Sequence, residues 1–139
     1  MKTVSIEADK VAAATALIPP GQPVVMINLL RYRAQADYGA GSDQPTCTGR
    51  EAYFDRYAPV ATGIVLANGG RVFWLGKVLA TVVGPDEEQW HDALLVEYPD
   101  FERLLRVFRD PAYQAIVFHR TAALEDSRLI ATATLPGLG

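Results

Sequence analysis

Apolar residues follow two different rhythms along this chain. Val24–Leu30 (VVMINLL) is apolar at both parities except for Asn28, and Ala93–Val96 is apolar throughout. Such runs suit strands covered on both faces. Phe101, Leu104, Leu105 and Phe108 instead recur at three-and-four spacing, with Glu102, Arg103, Arg106 and Arg109 mainly off that stripe, as in an amphipathic helix. The stretch from Trp90 to Tyr113 organises the rest: strand, stop at Tyr98-Pro99, helix, break at Asp110-Pro111, second helix. Proline cannot donate to a sheet ladder but suits a first helical turn, where Asp100 and Glu102 also complement the helix dipole. Asp110 caps the second helix, predicted over Pro111–Leu124, with Tyr113, Ile116, Val117, Arg120 and Leu124 on one stripe.

The alanine-rich stretch Glu7–Ile18 predicts a short helix ended by Pro19-Pro20-Gly21. After the Val24–Leu30 strand comes a long polar loop, Arg31–Thr48, of a length usually found in lids or binding loops. Thr48-Gly49-Arg50-Glu51 has the spacing of a capping box and opens a helix that runs to Asn68-Gly69-Gly70, kinked or split at Pro59. Arg71–Val83 reads as a long strand with a bulge or bend at Gly76, turning at Gly84–Glu88 so that the Trp90 strand pairs back as a hairpin. Glu125-Asp126-Ser127 predicts a turn into a last strand, Arg128–Leu135, followed by a tail, Pro136–Gly139.

Without the N-terminal helix, the order is βαββαβ. The predicted class is α+β: a ferredoxin-like, four-stranded antiparallel sheet with helices on one face and an extra N-terminal helix. The 139 residues form one domain, with a core over about 23–135 and an N-terminal helical extension over 1–22. Helices on one face leave the doubly apolar strands uncovered on the other. A second copy is the economical cover, so a homodimer through the open sheet face is expected.

The net charge of −3 and pI near 5.3 supply no basic field for nucleic acid or an anionic membrane. A single cysteine, Cys47, forms no internal disulfide. No signal peptide and no apolar run of spanning length is present, which leads to the expectation of a cytoplasmic protein.

The strings VVMINLLRYR, GREAYFDRYAP, GGRVFWLGKV, a Trp before an apolar strand ending in YP, and DPAYQAIVFHRTAALEDSRLI resemble, in joint order and spacing, family 1330 of the domains of unknown function. The resemblance runs from Pro23 to Thr134. It implies membership of the dimeric α/β-barrel superfamily, and so supports the fold and the dimer. Superfamily relatives include monooxygenases acting on activated aromatics, isomerases, dehalogenases and haem-related enzymes. The family pattern leads one to expect an acid after the Trp; here that position is His91, with Asp92 following.

In a βαββαβ sheet one edge gathers Asn28 and Arg31 from the first strand, Trp90, His91 and Asp92 from the third, and Arg128 from the last. The long loop, Tyr53, His119 and Arg120 lie toward the same edge, which is how a small-molecule pocket is usually built. His91 or Asp92 is the candidate proton mover; being adjacent on a strand, they face opposite sides and cannot pair with each other. Asn28, Arg31, Tyr53, Trp90, His119 and Arg120 are the candidate substrate-binding residues. Each has a structural alternative: core aromatics, a strand histidine, a helix-end histidine, or an inward Arg120 paired with Asp92, Asp126 or Glu51. No nucleotide, zinc or serine-nucleophile motif occurs, and no cofactor or metal is expected. These features point to an enzyme acting on a small carboxylated or aromatic metabolite by proton transfer or cofactor-independent oxidation. Two other readings stay open: a non-catalytic ligand-binding or stress-associated homodimer, and an internal salt-bridge network whose partner is another protein.

Overall fold

The computed structural model describes residues 1–137; positions 138 and 139 of the expected tail lie outside the described residues. Helix α1 (Ala8–Leu17) precedes strand β1 (Val24–Tyr32). A helical run then comprises α2 (Gly49–Glu51), a π-helical segment (Ala52–Tyr57) and α3 (Ala58–Ala67). Strands β2 (Arg71–Lys77) and β3 (Asp92–Tyr98), helices α4 (Phe101–Arg109) and α5 (Pro111–Ala123), and strand β4 (Leu124–Thr132) complete the chain. The strands form one antiparallel sheet in the order β2-β3-β1-β4, the ferredoxin-like arrangement.

Pairing of Asn28 with Leu94 and Leu129 gives the register. Residues directly opposite share a face, so Val24, Met26, Asn28, Leu30 and Tyr32 face the helices with Asp92, Leu94, Val96 and Tyr98. Most of these are buried, and Leu30 and Leu124 are fully so. The other face carries Val25, Ile27, Leu29, Ala93 and Leu95, all half-buried, beside exposed Ile130 and Trp74.

Local chemistry explains the helix starts. Thr48 accepts from the Glu51 N–H while the Glu51 carboxylate accepts from the Thr48 N–H, a complete capping box. Asp100 accepts from the Arg103 N–H, so it, rather than Pro99, stands at the threshold of α4. Asp110 caps α5. The helix ends at Gly69, whose φ of +80° suits glycine. The split expected at Pro59 is present: Pro59 stands in the first turn of α3, where the run passes from π to α winding. Just before it the chain widens into π winding, with the Ala58 N–H donating to the Tyr53 carbonyl, and Ala52, Tyr53 and Tyr57 all turn inward.

Several boundaries differ from expectation. β2 stops at Lys77 instead of Val83, because β3 begins at Asp92 and residues 79–84 have no ladder partner among the described residues. The bulge lies at Phe73, between Val72 and Trp74. Gly76 is instead where the Trp74 indole lies against the backbone, leaving no room for a Cβ. No turn occurs at Glu125-Asp126-Ser127: β4 starts directly from α5 at Leu124. Those residues are held extended because Arg31 pairs with Asp126, and Thr3 bonds both Asp126 and Ser127. The loop after β1 folds back on the end of α5 through Arg33 N–H to Ala123 O and Asp37 N–H to Ala122 O. Gly49 sits in that junction, where a Cβ would collide with the Arg33 and Ala123 carbonyls.

Candidate functional site

Between the helix-facing side of the sheet and α3, α4 and α5 lies a cavity of about 330 Å³. Its wall is mostly aliphatic and aromatic: Met26, Leu30, Leu94 and Val96 from the sheet, with Tyr53, Tyr57, Tyr113 and Phe108 from the helical side. Asn28 and Arg120 also line it. The cavity lies under the middle of the sheet, not at the strand ends beneath the long loop where a pocket was expected, and residues 33–48 contribute no wall residue. The loop's polar groups are used in clasping it to α5 instead.

Arg120 is the main charged group in this cavity. It is 6% exposed, and its guanidinium donates to the Val4 carbonyl at 2.5 Å and the Ser127 hydroxyl at 3.4 Å. Both acceptors are neutral, and no carboxylate among the described residues pairs with it. The three expected acidic partners are engaged elsewhere. Asp92 accepts from Tyr32 and Arg50, Asp126 from Thr3 and Arg128, and Glu51 from the Thr48 cap. A guanidinium withdrawn from water without an anion is costly unless one arrives.

Three tyrosines surround it. Burial pushes the Tyr53 hydroxyl up to about 12, against the lowering pull of the Arg120 charge. Tyr57 and Tyr113 are also raised, chiefly by burial, and their hydroxyls bond each other at 2.8 Å. All three are protonated at neutral pH. The Tyr53 hydroxyl and the Asn28 amide make no hydrogen bond to protein groups among the described residues, so both are available to a guest in the cavity. Asn28 interrupts an apolar strand at the position whose side chain enters this space.

The remaining expected site residues lie elsewhere. Asp92 is 4% exposed, but its carboxylate is held by the Tyr32 hydroxyl at 2.7 Å and Arg50 at 2.8 Å, with the Arg50 guanidinium 4.6 Å from the Tyr32 ring centre. This network is closed by its own hydrogen bonds and does not line the cavity. His91 accepts the Tyr32 N–H on Nδ1, and its ring stacks with Tyr32. Neither residue reaches a guest of the cavity, so the pairing of His91 or Asp92 with Asn28 and Arg120 in one site is not what the tertiary structure builds. Arg31 bonds Glu125, and Trp90 lies under the Arg128 guanidinium at 5.0 Å. His119 shares a 2.6 Å hydrogen bond with Tyr38 at the loop clasp, and burial together with the nearby Arg56 charge lowers its pKa. Among the described residues, no three His, Cys, Asp or Glu side chains come together as metal ligands.

Sequence reasoning missed Ile6 at the cavity wall, Val4 as the acceptor of the Arg120 guanidinium, and Arg50 as the partner of Asp92. The alternation in Thr3-Val4-Ser5-Ile6 was a usable sign of a short extended segment. The Arg50–Asp92 pair left no local sign.

Among curated proteins, none matches this chain significantly. Solved structures similar to it include the RPA0582 protein of unknown function from Rhodopseudomonas palustris, 33% identical, covering 99% of this chain and 100% of that one, with a TM-score of 0.87. A DABB family protein with a ferredoxin-like fold from Mesorhizobium loti is 13% identical, covering 82% of this chain and 98% of that one, with a TM-score of 0.56. The hydroxynitrile lyase from Passiflora edulis is 14% identical, covering 86% of this chain and 100% of that one, also with a TM-score of 0.56. At those identities the last two show the fold alone. The family described as "Domain of unknown function (DUF1330)" matches residues 44–134. Together with the full-length likeness to the Rhodopseudomonas protein, that match shows that this chain belongs to the DUF1330 family.

Proposed function

We propose that the protein binds a small carboxylated metabolite with an apolar or aromatic body in the cavity beneath its helices, and that it does so as a homodimer joined through the open sheet face. The observation that carries the reading is Arg120: a buried guanidinium at an apolar cavity, with neutral acceptors and no counter-ion among the described residues. A ligand carboxylate supplies the missing anion and accepts two parallel N–H bonds. Tyr53 and Asn28 are placed to bond its remaining polar atoms, while Met26, Leu94, Val96 and Phe108 take the apolar body. Binding is favoured over proton transfer by His91 or Asp92, because neither lines the cavity.

The test is a thermal-shift series with benzoate, phenylacetate and octanoate against their primary amides, on the wild type and Arg120→Gln. Acids are expected to raise the wild-type melting point, while the amides and the variant show little response. Equal stabilisation by acids and amides, or undiminished binding by Arg120→Gln, overturns the reading.

A further inference from the structure

A second cavity, of about 470 Å³, adjoins the first. The two share Ile6, Met26, Leu104, Phe108, Arg120 and Leu129 as wall residues. The partition on the N-terminal side is a few residues thick: Ile6 presents its side chain to both spaces, and Val4 holds the guanidinium between them. Upstream the segment is anchored at Thr3, whose N–H donates to Asp126 and whose carbonyl accepts from the Ser127 N–H at 2.7 Å. Downstream it runs into α1, which has no buried residue and no side-chain cap. Between these points, Val4–Ile6 is held to the body, among the described residues, by one polar contact, the Val4 carbonyl on Arg120, and by the packing of Val4 and Ile6 against the core.

We propose that residues 4–6 are a gate that only an anionic ligand opens, because the Val4 carbonyl occupies Arg120 until a carboxylate takes its place. The inference rests on the carboxylate-binding reading above and adds a cause for its selectivity. A neutral amide offers Arg120 one uncharged carbonyl, no better than that of Val4. A carboxylate offers two charged oxygens in the geometry of the guanidinium fork, and so displaces it. Releasing Val4 frees Ile6 to move, and the two cavities become continuous. Discrimination then comes from competition with the chain's own backbone, with Val4 and Ile6 as the specificity-determining positions.

The experiment uses the full chain carrying Ile6→Cys in a Cys47→Ser background and follows the rate of maleimide labelling. Saturating octanoate is expected to speed labelling by about tenfold, as a shift toward an open minor state does, and octanamide to leave it unchanged. In parallel, Ile6→Ala loosens the gate without a thiol and is expected to narrow the affinity gap between octanoate and octanamide. The proposal is overturned if octanoate gives an Arg120-dependent thermal shift while labelling stays constant or slows, or if Ile6→Ala leaves the gap intact; carboxylate binding then stands without the gate. If octanoate does not bind at all, the reading of the cavity falls, and the gate falls with it.

Discussion

The guanidinium of Arg120 and the carbonyl of Val4, 116 positions apart, meet at 2.5 Å inside the protein. A charge is thus held by a backbone dipole where buried arginines ordinarily meet an acid. Breaking a buried ion pair costs about 3–5 kcal/mol, but Arg120→Leu removes a charge that has no counter-ion among the described residues. Its expected cost is small, within about 1 kcal/mol of wild type, because relief of desolvation offsets the lost hydrogen bonds. Urea denaturation measures it. A loss near the ion-pair figure shows that Arg120 is a structural member and not a ligand anchor.

Asp92 is the reverse case. Its carboxylate is buried and accepts from both Tyr32 and Arg50. Asp92→Ala strands the Tyr32 hydroxyl, whose pKa burial and Asp92 already raise far above the usual tyrosine value. The expected loss is about 1–3 kcal/mol, and a double-mutant cycle with Tyr32→Phe should show coupling of roughly 0.5 kcal/mol or more. The same variants should leave the acid-induced thermal shift intact. Loss of that shift in Asp92→Ala, with the fold preserved, returns Asp92 to the site.

The N-terminal anchor is pH-sensitive. Burial raises the Asp126 carboxyl, but the Thr3 N–H and Arg128 outweigh it and hold its pKa below the usual value. Glu125 is lowered chiefly by Lys2. A depressed folded-state pKa contributes stability that is complete above the ordinary carboxylate range and is lost as pH falls through the folded value. The melting point should therefore decline as pH drops below about 4, and Asp126→Asn should flatten that decline. A parallel slope in wild type and variant removes Asp126 as its source.

His119 titrates higher. Its Nδ1 lies 2.6 Å from the Tyr38 hydroxyl, and burial with the Arg56 charge lowers its pKa. The unfolded chain therefore takes up the proton first, and stability falls as pH drops from about 7 through 6.5 toward the folded value. His119→Gln should remove this part of the pH dependence and weaken the clasp of residues 33–48. Thermal melts between pH 5 and 8 report it, and an unchanged slope refutes it.

The half-buried Val25, Ile27, Leu29 and Leu95, with exposed Ile130, make up the proposed dimer face. Ile130 is 48% exposed, so Ile130→Glu should cost the monomer little. It should nevertheless convert dimer to monomer in light scattering, since a charge in an apolar interface is left unpaired. A variant that stays dimeric places the contact elsewhere.

Much of the fold was legible because its signals are local. The Thr48–Glu51 capping box, the Asp110-Pro111 break and the three-and-four stripe of α4 each reside within a few residues. Boundaries failed where a distant partner decided them. Residues 79–83 have strand-like composition but no ladder partner among the described residues, and Glu125–Ser127 looks like a turn but is drawn straight by Thr3 and β1. The site divided in the same way. Asn28 and Arg120 stood out as polar residues on apolar stripes, and both line the cavity. His91 and Asp92 stood out only by residue type, and the pleat and the Arg50 network take them away from it.

By itself, then, the sequence determined the element order, most helix starts and stops, and the placing of Asn28 and Arg120 on apolar stripes, because periodicity and capping act over one or two turns of chain. Only the tertiary structure decided where those residues meet. It joined Val4 to Arg120 and Arg50 to Asp92 across 116 and 42 positions, since sheet register and helix packing set the distance between segments that carry no record of one another in their local pattern.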